Sequence, residues 1–363
     1  MQKLTLGALV FLFVFCISGQ MHAQTAPAPA ARGTATVITA AEIQALAEKQ
    51  PASTPLSDQL LRVLPINNGE YNVGVAIVHR AKVTETALPS ALEHSQIAEV
   101  YYMLSGDAID MTNGKMENPK LTAPAKPGAG STIGPTFSDR TAEGGVSREL
   151  GPGDAVVIPP NTSHYFTEIK SDEVMYLVDR VDPHHVLAMP GQTPENTTGD
   201  PGAPGTAVDI SAAEIKAASE QTGPGIVQVL RVVDNNKGEY NIAIALLHRT
   251  PEGDTILEHS DITEIYHIIS GTATIETDGT IENRKAGSAS PRIGPSFGGT
   301  AIRNGVYHEV GPGDVVVIPP NTPHYFSKVK SDKIVYLVVR VDPHQVLSMP
   351  PEDAAAAAKA SGR

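Results

Sequence analysis

The 363-residue chain carries nearly the same message twice, and this duplication limits its fold more than any other feature. The first copy reads His94-Ser-Gln-Ile-Ala-Glu99, then Gly106, then Gly153-Asp-Ala-Val-Val-Ile-Pro159-Pro-Asn-Thr-Ser-His164. The second reads His259-Ser-Asp-Ile-Thr-Glu264, then Gly271, then Gly313-Asp-Val-Val-Val-Ile-Pro319-Pro-Asn-Thr-Pro-His324. The copies keep an offset of 165 residues through Gly106/Gly271, which falls to 160 by Gly153/Gly313. The first copy therefore holds five extra residues between its motifs, a loop-like change that leaves the framework intact. A chain of this length suits two domains, each with its own core. Two imidazoles and one carboxylate per copy can hold a divalent transition metal and leave coordination positions open.

Each copy opens with a helix-start signature, Thr39-Ala-Ala-Glu42 and Ser211-Ala-Ala-Glu214. These are capping boxes, whose hydroxyl and carboxylate can satisfy free N–H groups at a helix start. A strand, a polar turn (Asn67-Asn-Gly69, Asn235-Asn-Lys-Gly238) and a β-branched run (Val73–Val78, Ile242–Leu247) follow. The remainder alternates short apolar runs with Gly, Pro and Asn turns, the pattern of an all-β sandwich or barrel. Residues 24–36 are rich in Ala, Pro and Thr and read as a flexible leader; 191–206 read as a linker. The Ala-rich tail 351–363 lacks an apolar face and is expected to be disordered.

Residues 1–23 have the form of an export signal: Lys3, an apolar run from Leu4 to Ile17, then small or polar residues toward Ala23. The run is short for a membrane span. Cleavage there would remove Cys16, the only cysteine, so a metal must be held by nitrogen and oxygen donors. The expectation is a periplasmic or secreted protein that does not bind membrane after cleavage. The formal charge of −13 offers no basic stripe for nucleic acid.

The paired motifs resemble those of the cupin superfamily, and residues 37–350 resemble a bicupin, with domains at 37–190 and 207–350. Glu99 to Gly106 and Glu264 to Gly271 match the spacing of the family's first motif. Gly153/Pro159/His164 and Gly313/Pro319/His324 match its second, with Asn161 and Asn321 in place of a glycine; Asn tolerates the left-handed turn. The resemblance implies two tandem double-stranded β-helix (jelly-roll) barrels with short flanking helices. It also implies an intramolecular pseudo-dimer with swapped N-terminal strands, and leaves further homo-oligomers open. One departure stands out: the first histidine of the family's motif is Leu92 in one copy and Leu257 in the other.

Strand parity turns His94, Glu99 and Tyr101 inward, with their counterparts His259, Glu264 and Tyr266. His164 and His324 arrive from a later strand. The expected cofactor is one divalent metal per domain, with Fe, Mn, Cu, Zn and Ni all compatible. A hydrogen-bonded His–Glu core without metal is the plainer alternative, though burying such groups uncompensated is costly. Tyr101 and Tyr266 are candidates to donate a hydrogen bond to a metal-bound ligand, with core packing as the simpler role. His267 faces outward by parity and reads as a surface residue. Arg62/Arg231, Arg80/Arg249 and Arg180/Arg340 have no role fixed by sequence, and strand-end ion pairs are their plainer use. Gly134-Pro-Thr-Phe137 and Gly294-Pro-Ser-Phe297 read as lids or packed loops. The leading functional expectation is an exported metal-dependent oxygenase or related redox enzyme acting on a small organic molecule. The alternatives are a lyase or isomerase, or a non-catalytic barrel that binds a metal or small ligand.

Overall fold

The apolar runs become strands buried on both faces. In Tyr71–Ala81, Val73, Val75 and Ile77 enter one core while Ala76 and Val78 enter another. A strand sandwiched this way needs apolar residues at every position, which is why its sequence does not alternate. The computed structural model describes residues 33–49, 56–82, 90–122, 126–140, 142–199, 202–235 and 237–360. The expected export signal and most of the leader lie outside the described residues.

Two β-barrels of matching topology result. In the first, one six-stranded sheet runs Val208–Ile210, Ala155–Ile158, Ala98–Ser105, Glu173–Asp182, Tyr71–Ala81, Leu56–Ile66. It faces a second sheet ordered Val146–Leu150, Ala108–Thr112, His164–Ile169, Ala91–His94, Thr136–Asp139, Lys120–Leu121. In the second barrel, the large sheet runs Thr36–Ile38, Val315–Ile318, Thr263–Ser270, Ile334–Asp342, Tyr240–Arg249, Gln228–Asn235. All paired strands are antiparallel, as the jelly-roll reading requires.

The first strand of each half sits in the other half's barrel. Thr36–Ile38 pairs with Val315–Ile318, and Val208–Ile210 pairs with Ala155–Ile158. The exchange continues into the helices Ala40–Ala47 and Ala212–Gln221. Thr39 and Ser211 cap them as expected, accepting from the N–H of Glu42 and Glu214. Asp314 and Asp154, each from the opposite barrel, accept from the N–H groups of Ala40 and Ala212. The carboxylates of the two capping boxes are held by Arg62 and Arg231, which gives those arginines their role.

The outer faces of the two large sheets pack together. One apolar cluster draws Val75, Val100, Val157 and Leu177 from the first barrel and Ile244, Ile265, Val317 and Val339 from the second. Here the reading of His267 as a surface residue fails. Parity was right, since the ring points out of its own barrel, but that face is covered by the partner barrel. His267 is 2% exposed, its Nε2 lies 2.6 Å from Oδ2 of the fully buried Asp179, and its ring lies 5.3 Å from that of Tyr102.

Two other expectations are corrected. Residues 33–36 are docked rather than flexible: the N–H of Ala35 donates to Asp278, and Gly33 packs on Pro319, where a side chain would collide. The tail forms a helix, Pro351–Ala360, because buried Asp353 ties it down through Arg292 and the N–H of Val229. Among the described residues no helix is long and apolar enough to cross a membrane.

Candidate metal centres

Three short elements bring each triad together. His94 ends the strand Ala91–His94, Glu99 is the second residue of Ala98–Ser105, and His164 opens His164–Ile169. The Pro-Pro-Asn turn sets the entry of the last histidine. Asn161 and Asn321 both have φ of 59°, the left-handed conformation expected where the motif lacks its glycine. The same turns are pinned to the neighbouring ligand strand, since Asn161 N–H donates to the His94 carbonyl and Asn321 N–H to that of His259.

In the first barrel, Nε2 of His94 and Nε2 of His164 each lie 3.5 Å from Oε2 of Glu99. In the second, His259 and His324 lie 3.6 and 3.2 Å from Oε2 of Glu264. All six residues are buried, and within each triad the candidate ligand atoms lie within 4.8 Å of one another. The far sides of three of the four rings are anchored. His164 and His324 approach the Thr162 and Thr322 carbonyls through Nδ1, at 3.0 and 2.9 Å, and His94 Nδ1 lies 2.8 Å from Oγ1 of Thr136. A ring that donates from Nδ1 to a carbonyl presents an unprotonated Nε2 to the centre. Nε2 of His164 is buried with no hydrogen-bond partner. An orphaned lone pair aimed at a second imidazole and a carboxylate is what a cation site leaves behind, so the residues fit a divalent metal.

The carboxylates are oriented from behind. Arg180 Nε donates to Oε1 of Glu99 at 2.9 Å, and Arg340 Nε to Oε1 of Glu264 at 2.8 Å. Tyr101 and Tyr266 donate to the Oε2 atoms at 3.0 and 2.9 Å. The tyrosines thus touch the carboxylate of the triad itself while also packing on Tyr176 and Tyr336. Behind the first site Arg180 also forms a two-pronged pair with Asp58, whereas Arg340 donates to the Arg292 carbonyl. Arg249 pairs with Asp254, and Arg80 donates to the hydroxyl of Tyr176.

Burial pushes His94 down to about 3 and His259 down to about 4, each only partly opposed by its glutamate, and burial lowers His164 as well. For Glu99 burial acts upward, but His94, Arg180 and His164 together outweigh it and hold the carboxyl at about 2. Glu264 is held well below the usual range in the same way. His324 departs from its counterpart: burial is outweighed by its closer hydrogen bond to Glu264, which raises it. The first site therefore presents neutral imidazoles and a charged carboxylate at neutral pH, the forms a metal requires.

This has a measurable consequence in metal-free protein. Between about pH 6.5 and 3 the unfolded chain takes up a proton that buried His94 refuses, so this residue's contribution falls as the pH falls. Relative to His94→Asn, wild-type protein should lose about 2 kcal/mol between about pH 7 and about pH 5 in urea denaturation. A constant difference across that range would show that the ring is not held neutral.

Leu92 and Leu257, which replace the family's first histidine, lie directly across the ladder from His164 and His324. Two antiparallel jelly rolls in tandem, each with the ordered motifs converging on one inward cluster, decide the fold family. The chain has the fold of a bicupin. Its residues 299–353 match the AraC-like ligand binding domain family. No curated protein matches the chain. Among solved structures it is similar to oxalate decarboxylase from Bacillus subtilis, with 15% identity, a TM-score of 0.40 and coverage of 86% of this chain and 74% of that one. It is also similar to Lactobacillus farciminis oxalate decarboxylase in a formate complex (11%, TM-score 0.39, 81% and 87% covered). A third is the protein Ylba from E. coli (11%, TM-score 0.43, 88% and 95%). At such identities and TM-scores these likenesses say nothing about chemistry.

Sequence reasoning missed three supporting groups of the two sites. Arg180 and Arg340 sit at matching positions of the two copies, a signal that was present but fixed no role. Thr136 lies in the Gly134-Pro-Thr-Phe137 segment, which is packed rather than lid-like: Gly134 abuts Val186 and Phe137 is buried. Asp58 has no repeat signature at all.

Proposed function

We propose that the bicupin is an exported metal-dependent enzyme, an oxygenase or related redox enzyme acting on a small organic substrate. One observation carries the reading: in each barrel two buried imidazole Nε2 atoms and one carboxylate oxygen converge, backed by Arg180 or Arg340. His94, Glu99 and His164 would hold one metal, and His259, Glu264 and His324 a second. A bound divalent redox metal supplies polarisation of a chelating substrate and electron transfer to dioxygen.

The protein's own groups do the rest. Arg180 and Tyr101 fix the Glu99 carboxylate through both oxygens, leaving it no freedom to rotate away from the centre. The Thr162 carbonyl fixes the His164 tautomer. Leu92 and Leu257 give one side of each centre an apolar wall where the family motif has a ligand, which leaves room for a substrate that chelates through two atoms. Export is proposed from residues 1–23 alone.

A second reading has its own support. The AraC-like ligand binding match covers the later strands of the second barrel and the start of the terminal helix, which favours non-catalytic capture of a small ligand there; a lyase or isomerase using the metal as a Lewis acid belongs to the same site chemistry. Elemental analysis of the purified chain, followed by oxygen uptake across a panel of small organic acids and phenols, separates these. Iron, manganese or copper near one per barrel with substrate-dependent uptake is the expected result. Zinc alone, or no metal, with no uptake would favour binding or lyase chemistry. Protein recovered outside the cytoplasm with its N-terminus near residue 24 would support export.

A further inference from the structure

Inside the barrels the two copies differ at a buried acid that the metal chemistry does not use. Asp110, in the first barrel, lies on the strand Ala108–Thr112 and is 1% exposed. It shares the inward parity of Ala108, which joins the barrel-interior cluster with Tyr101, Phe166 and Tyr176. Its Oδ2 has no hydrogen-bond partner. A buried carboxyl oxygen left unsatisfied inside a barrel costs stability and calls for an explanation.

Register places Asp110 beside the first centre. Across the ladder His164 faces Thr112 and Phe166 faces Asp110, so the acid stands one same-face step from the candidate ligand, about 7 Å along the strand. The second barrel shows what occupies that space. There the corresponding residue, Ile275, lines a small pocket together with Arg249, Asp254, Tyr266, His324 and Phe326. The first barrel has exchanged an apolar wall residue for an acid at this place.

Arg148 from the neighbouring strand and Arg80 from the facing sheet act on Asp110, with Asp209 opposing them. Arg148 is turned to Asp209 and Thr112, and Arg80 donates to the neutral Tyr176 hydroxyl, whereas its counterpart Arg249 has Asp254. Arg80 and Arg180 are balanced by Asp58 and Glu99 in the first interior, as Arg249 and Arg340 are by Asp254 and Glu264 in the second, so Asp110 is an acid added to the first barrel alone. Burial raises the Asp110 carboxyl to about 7, against the pull of both arginines, so it can hold or release a proton near neutrality.

We propose that Asp110 is the proton-transfer group of the first barrel, exchanging a proton with a small organic acid held at the His94–Glu99–His164 triad. This assignment rests on the metal-dependent reading above and makes the barrels unequal: the first performs proton transfer, and the second, with Ile275, does not. Pyruvate serves as the probe. One methyl C–H bond breaks, its electron pair passes into the enolate, and the proton goes to the Asp110 carboxylate. In heavy water a deuteron returns from Asp110 to that carbon, with no net oxidation.

The test uses the full chain loaded with zinc, with deuterium entry into pyruvate followed by proton NMR. Wild type should exchange; Asp110→Asn and Asp110→Ile should lose about 100-fold or more while still holding two zinc ions. Asp110→Glu should regain part of the rate. A second readout needs no metal: relative to Asp110→Asn, the wild type should lose stability as the pH rises from about 5 to about 8, since the folded carboxyl holds its proton longer than the unfolded one. Unchanged exchange in both variants, no exchange by zinc-loaded wild type, or a pH-independent stability difference would each overturn the assignment. Failure of zinc to bind wild type would instead overturn the metal reading, while the stability readout would still show whether Asp110 titrates in the barrel.

Discussion

Glu264→Ala should remove one of two bound metal ions and cost about 3–5 kcal/mol, because it strands a buried guanidinium. Arg340 is 1% exposed, and besides Glu264 it donates to the Arg292 carbonyl, which carries no charge. Glu99→Ala should remove the other metal at a smaller cost, since Arg180 retains its two bonds to Asp58 at 3.0 and 2.7 Å. The double variant should bind no metal. Elemental analysis and urea denaturation of the three proteins check this directly. Full metal content in the double variant would refute the ligand assignment, and equal stability losses would refute the role given to Asp58.

The second large effect is expected at the centre of the interface. Asp179→Val leaves His267 without its carboxylate, and His267→Tyr leaves a fully buried Asp179 unpaired; each should cost about 3–5 kcal/mol. Combining them should recover most of that loss. The pair's positions in the other copy hold Tyr102 and Val339, which already lie in or against the same apolar cluster, so the double variant only makes the interface symmetric. A thermodynamic cycle measured by denaturation would show strong coupling. Additive losses would mean that His267 and Asp179 do not depend on each other.

How much was legible beforehand follows from the range of each signal. The triads, the capping hydroxyls of Thr39 and Ser211, and the left-handed Asn161 and Asn321 are local or twice-repeated features, and these could be read from the chain. What failed were statements about which surface remains exposed. The parity of His267 was correct, yet nothing local announces that a neighbouring barrel covers that face. Likewise the tail is poor in apolar residues, and only the distant Arg292 makes Asp353 an anchor. Asp110 was detectable in principle: aligning the copies sets it against Ile275, an acid opposite an aliphatic on an inward-facing strand. The difference between the copies held information that their likeness concealed.

The crossing-over of the segments Thr36–Ile38 and Val208–Ile210 means that the halves are not independent modules strung on a tether. A protease that nicked the chain near residue 199 would yield two fragments still clasped together, each supplying an edge strand to the other's sheet and an aspartate to the other's helix start. Expressed alone, either fragment would lack one border of its own barrel and expose a broad greasy wall. The length between the copies can therefore drift in evolution, while the order in which they interlock cannot.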